Sequence, residues 1–248
     1  MRRVAVRHPM AAPLFRRHVG VDYSGAGTDA SLQRGLAVAV ADCGRAQVVP
    51  ERWSRASLTD WLTGLLEEGV PTLVALDHAF SYDALTLREL RVRRWDDLPR
   101  RLEGLAPAEL EARLGEEARL RRRLTDLWAR GSKGPLDFRT PHGVARSSLA
   151  GIRQLATLRK RVDMHLWPFD GWEVPKGMSV VAEGYPSWIR QRVGPTPESD
   201  EHARDAWSLA EWLRRRDEEG LLPRYLGPPL SFAERSQAAK EGWILGVA

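Results

Sequence analysis

The chain has 248 residues, long enough to bury a core, and Lys+Arg 38 against Asp+Glu 33 leaves a formal net charge of +5. One cysteine, Cys43, excludes a disulfide framework and a cysteine-rich zinc site. No apolar run of about 18 residues is present to span a membrane, and no secretory apolar segment follows the basic N-terminus, so the expected compartment is the cytoplasm.

Residues 1–17 carry Arg2, Arg3, Arg7, Arg16 and Arg17 and no acid, and read as a basic, disordered tail before a single domain at 18–248. Residues 18–23 (HVGVDY), 33–41 (QRGLAVAVA) and 46–51 predict three strands joined by short connections, an antiparallel meander. Residues 57–68 place Leu58, Trp61, Leu62, Leu65 and Leu66 at helical spacing, with Ser57 as N-cap. Residues 72–76 (TLVAL) are a continuous apolar run, as in a buried central strand. From 83 to 163 Leu, Arg, Glu and Ala dominate, with breaks at Pro99, Pro107 and 131–141, so helices are expected near 84–95, 108–130 and 147–162. Residues 179–182 (SVVA) restore a strand, and Ser199 caps a helix running to about Arg216. A last helix is expected near 231–240, and 242–247 (GWILGV) is a candidate terminal strand. The order predicts an α/β fold of mixed strands with a large helical insertion at about 83–163.

Four acids stand out by their neighbours. Asp22 lies within an apolar run, Asp77 follows Leu76, and Glu183 follows Ala182. Asp205 shares a helix stripe with Ala206, Leu209, Trp212 and Leu213. An unpaired buried carboxylate is costly, so each needs a partner, and one divalent cation would satisfy all four. Taken singly, each acid also suits a turn or helix cap. Carboxylates and water suit Mg²⁺ or Mn²⁺ rather than zinc, and such ions activate water in phosphodiester cleavage. His202 precedes Asp205 by three, as a ligand, a proton shuttle, a substrate contact, or a first-turn side chain facing water. Gly25-Ala-Gly27-Thr-Asp-Ala30 spells a dinucleotide fingerprint, but a strand, not a helix, is expected after it. The same loop resembles the phosphate loop of actin-like and sugar-kinase ATPases, an alternative reading as a nucleotide-binding enzyme. A non-catalytic interaction protein is a third.

Several segments together resemble the RNase H-like superfamily, and within it a predicted-nuclease family (domain of unknown function 429), distantly similar to RuvC-type resolvases. They are Gly20-Val-Asp22-Tyr-Ser-Gly, Ala75-Leu-Asp77-His-Ala-Phe-Ser, Trp167-Pro-Phe-Asp-Gly-Trp172, Val181-Ala-Glu183-Gly-Tyr-Pro186, Asp200-Glu-His202-Ala-Arg-Asp205-Ala and Glu241-Gly-Trp-Ile-Leu-Gly246. The resemblance implies a five-stranded mixed sheet, its first three strands antiparallel, with helices on both faces. It implies that Asp22 and Asp77 face one another on neighbouring strands, that Glu183 joins from the fifth strand, and that Asp205 arrives from the C-terminal helix. The implied catalytic set is Asp22, Asp77, Glu183, Asp205 and His202, with the four acids holding Mg²⁺ or Mn²⁺ and a nucleic acid as partner.

Trp167 and Trp172 suit aromatic packing or base stacking. The runs Arg121 to Arg123, Arg159 to Arg161 and Arg214 to Arg216 are expected to be solvated faces, and Arg146 and Arg153 are candidate phosphate contacts. Segment 83–163 holds 19 basic and 12 acidic residues, whereas the rest of the body holds 14 and 21. An acidic sheet beside a basic helical region suits a cation site facing a phosphodiester.

Overall fold

The computed structural model describes residues 12–42, 44–139 and 144–248; Cys43, Pro141 and most of the expected tail lie outside the described residues. The domain begins earlier than expected. The backbone N–H groups of Leu14 and Phe15 donate to Asp217, and Phe15 is buried, so residues 12–17 join the body.

Strand β1 (Arg17–Asp22) pairs antiparallel with β2 (Ala37–Asp42), which pairs antiparallel with β3 (Gln47–Val48). Strand β4 (Thr72–Leu76) lies parallel to the other edge of β1. Beyond it come β6 (Val180–Glu183) and β5 (His165–Leu166), all parallel, giving the order β3-β2-β1-β4-β6-β5. The expected five strands are therefore six, because the two-residue β5 is too short to register as a pattern. The expected terminal strand is reduced to one bridge between Ile244 and Glu183.

Ten α-helices occur among the described residues. Helix α1 (Arg55–Glu67) starts at a capping box of Ser54 and Ser57, three residues before the expected cap. The insertion is a series of short helices, α2 (Ala84–Glu89), α3 (Asp97–Leu102), α4 (Pro107–Leu114) and α5 (Leu124–Trp128), and then the long α6 (Val144–Arg161). Helices α7 (Pro186–Val193), α8 (Glu201–Glu218), α9 (Leu222–Leu226) and α10 (Phe232–Glu241) complete the chain. None is long and apolar enough to cross a membrane among the described residues.

Strand alternation divides the core into two layers. Val19, Val21, Val74, Leu76 and Val181 pack under α1 and α6, with Leu58, Leu62, Ile152 and Leu155. On the opposite face the strands offer small side chains, Ala39, Ala75 and Ala182, to Ala206, Leu209 and Ala210 of α8. Gly20 makes the closest approach. A Cβ there would lie 2.2 Å from the Ala206 carbonyl oxygen and 2.6 Å from the Ala210 nitrogen. Alternate residues of β1 meet α8 in antiparallel order: His18 bonds Asp217 at 2.9 Å, Gly20 touches Ala206 and Ala210, and Asp22 bonds His202.

A second anchor of α8 is Glu211, fully buried, which accepts from the Ala46 N–H and from Arg214 and Arg215. Burial opposes its charge, but these donors outweigh burial and bring its pKa down to about 2. A depressed carboxylate contributes stability above its unfolded pKa, lost as the pH falls through its folded pKa. Glu211→Gln is therefore expected to cost about 3 kcal/mol at pH 7. Urea unfolding should find the gap between variant and wild type shrinking from pH 4.5 downward. A gap independent of pH would contradict the assignment.

Candidate active site

Asp22 ends β1 and Asp77 directly follows β4, so the parallel pairing of these strands brings the two carboxyl groups to one end of the sheet. Period-two alternation sends both toward α8. The two carboxyl groups are close enough to shift one another's titration, and His202 Nδ1 lies 2.6 Å from Asp22 Oδ2. Burial raises the Asp22 pKa, opposed by His202. Burial raises the Asp77 pKa much further, reinforced by the negative charges of Asp22, Asp205 and Glu183. The hydrogen bond to Asp22 raises the His202 pKa.

Asp205 reaches the same neighbourhood from α8. Burial and the Asp22 charge push its pKa up to about 6, against the pull of Arg190. Arg190 lies 3.1 Å from Oδ1 as an ion pair, but that buried oxygen accepts no hydrogen bond among the described residues.

Glu183 is turned away from this group. Its register opposite Leu76 gives it the parity of Val181, on the α6 side of the sheet. There both its oxygens accept from Arg123 at 2.6 Å, and Oε2 also accepts the Phe80 N–H at 3.1 Å. Arg123 in turn holds Asp126 at 3.0 Å. The guanidinium is buried, so the reading of Arg121 to Arg123 as a solvated run fails at its third member. A spacing of 60 residues between Arg123 and Glu183 hides the pair from local sequence reasoning. The signal that was available is the alternation of Val180-Val-Ala-Glu183, which puts Glu183 out of phase with Ala182.

Asp22, Asp77, Glu183 and His202 line a cleft of about 690 Å³, walled by Arg34, Lys133, Arg146 and Ser147; Asp205 is not among its lining residues. Arg146 lines the cleft. Arg153 does not, because its guanidinium donates to the Leu102 and Leu105 carbonyls. Trp167 is buried edge-on against Trp172, so packing accounts for it. His78, beside Asp77, is also buried; desolvation lowers its pKa to about 4, and its ring fills the space over Gly151.

The glycine-rich loop after β1 leads into β2, as a hairpin connection. Arg55 donates to its carbonyls at Ser24, Ala26 and Gly27, and the amides of Ala26 and Thr28 donate to serine hydroxyls. Two of the amides that a phosphate loop would present are therefore already engaged.

Among the described residues no three His, Cys, Asp or Glu side chains converge at a spacing that closes a metal site. The donor chemistry nevertheless fits a hard divalent cation at Asp22, Asp77 and Asp205: three oxygen donors, mutually repelling, one with a buried oxygen lacking a hydrogen bond. Glu183 does not fit, since Arg123 already balances it. Compared with protein-family models, curated proteins and solved structures, the chain matches none.

Proposed function

We propose that the chain is an RNase H-like, divalent-metal-dependent hydrolase of nucleic-acid phosphodiester bonds. The observation that carries this reading is the placement of Asp22 and Asp77 together at the ends of adjacent parallel strands, lining a cleft with cationic walls. The sheet order, with three antiparallel strands first and β4 beside β1, supports the fold assignment.

Asp22, Asp77 and Asp205 would hold Mg²⁺ or Mn²⁺, which supplies an activated water and charge neutralisation at phosphate when bound. The remaining work falls to the protein. Asp22 fixes the ring of His202 through Nδ1, leaving Nε2, toward Gly35 and the cleft, to move a proton. Arg34, Lys133 and Arg146 orient the phosphate backbone. Glu183 acts through Arg123 and Phe80, holding the segment after Asp77 in place.

The test is cleavage of single-stranded and duplex DNA and RNA with Mn²⁺. Wild type should cut at least one substrate, and Asp22→Asn should lower the rate on the order of a thousandfold. Equal rates for the two proteins, or no cleavage of any substrate, would reject the reading.

A further inference from the structure

A second cavity, of about 640 Å³, opens on the helical insertion and shares no residue with the cleft. Trp95 and Phe169 form its aromatic wall, with ring centroids 5.8 Å apart, and Leu87 and Val92 add apolar floor. Around this wall stand Arg88, Arg91, Arg93, Arg94 and Lys240, all exposed. None of the five makes an ion pair among the described residues. Among the described residues the only acids lining the cavity, Asp96 and Asp170, are both paired to Arg159, which itself lies 5.8 Å over the Trp95 ring. Five exposed cations without a close ion pair, only Arg94 feeling the nearby Asp97, stand around an aromatic wall and match a ligand with planar rings and repeated negative charge.

One position sharpens the point. Helix α2 ends in a Schellman motif, with Val92 N–H donating to the Leu87 carbonyl and Arg91 N–H to Arg88. The residue at the left-handed position is Arg91, with φ 56, where glycine is the ordinary choice. Arginine there strains the backbone, and local stability does not account for it. Its side chain lines the cavity.

We propose that this cavity binds a single-stranded nucleic-acid segment, with a base against Trp95 and Phe169 and flanking phosphates on Arg88, Arg91 and Arg94. The choice of nucleic acid over another aromatic anion rests on the reading of the cleft as a phosphodiester hydrolase. The main chain of Phe80 joins the two sites: its N–H donates to Glu183, and its carbonyl accepts from Trp95 Nε1 at 2.8 Å.

The test is fluorescence anisotropy of a labelled twelve-nucleotide oligo-dT strand with the whole chain in EDTA, titrated over a range of salt. Arg91→Gly removes one cation while relieving the strained backbone, so weaker binding by a protein of unreduced melting temperature cannot be misfolding. It should weaken binding several-fold, and Arg91→Glu with Arg94→Glu about tenfold or more, with a shallower salt dependence. Phe169→Ala should weaken binding without changing the salt slope. AMP should compete only at far higher concentration than the strand; equal competition per site would make the ligand a free nucleotide and overturn the proposal. Unchanged affinity in all three variants would overturn it as well, even if Mn²⁺-dependent cleavage is found. Variant-sensitive binding by a chain that cleaves nothing would sustain this site and reject only the reading of the cleft.

Discussion

Arg123→Met will lower the free energy of unfolding by about 3–5 kcal/mol, the cost typical of removing one partner from a buried ion group. The reason is the company that Arg123 keeps. Its guanidinium is the shared counter-charge of Glu183 and Asp126, and all three side chains are buried. Without it, two carboxylates remain in a low-dielectric interior with nothing to balance them. Adding Glu183→Gln to the same chain should restore part of the loss. The amide removes one stranded charge and still offers an oxygen to the Phe80 N–H. Urea unfolding followed by tryptophan fluorescence measures both. A loss below about 1 kcal/mol for Arg123→Met would mean that water or rearrangement reaches this group.

Asp77→Asn is expected to do two opposed things: abolish metal-dependent cleavage and stabilise the metal-free fold. Burial and the charges of Asp22, Asp205 and Glu183 raise the Asp77 pKa well above the ordinary carboxylate value. For an acid shifted upward, its contribution to folding is most favourable while it is protonated. That contribution is lost as the pH rises from the unfolded pKa, near 3.9, through the folded one. Asparagine stays neutral at every pH of the test. The variant should therefore melt higher than wild type in EDTA, by more at pH 8 than at pH 5. Mn²⁺ should raise the melting temperature of wild type and leave the variant nearly unmoved. A variant that melts lower at pH 8 would show that Asp77 is not strained by charge, and one that gains as much from Mn²⁺ would show that it is not a cation ligand.

The central strand was the most legible part of the fold. The run Thr72 to Leu76 is β4 residue for residue, because a strand covered on both faces needs no polar alternation to reveal it. Asp22 and Asp77 were legible for the same reason, as acids abutting apolar runs. Partnerships across the fold were not. Arg123 sits in a row of three arginines that looks alike in sequence, and only the turn into α5 buries the third. Arg214 and Arg215 likewise read as solvent-facing, yet they neutralise Glu211, which the tertiary fold carries into the interior. The caps of α1 and α8 shifted to Ser54 and Asp200, because two acceptable cap residues stand close together at each start and packing selects between them.

The contact at Gly20 has a bearing on mutational robustness. Asp22 lies two residues beyond Gly20 on β1, and Asp205 is adjacent to Ala206 on α8. The spacing between strand and helix is set there by main chain against main chain, not by interlocking side chains. Core residues elsewhere can therefore drift in volume, generation by generation, while the separation of these two acids stays fixed. Selection on the candidate site would then fall most heavily on a residue that has no side chain and no chemistry of its own.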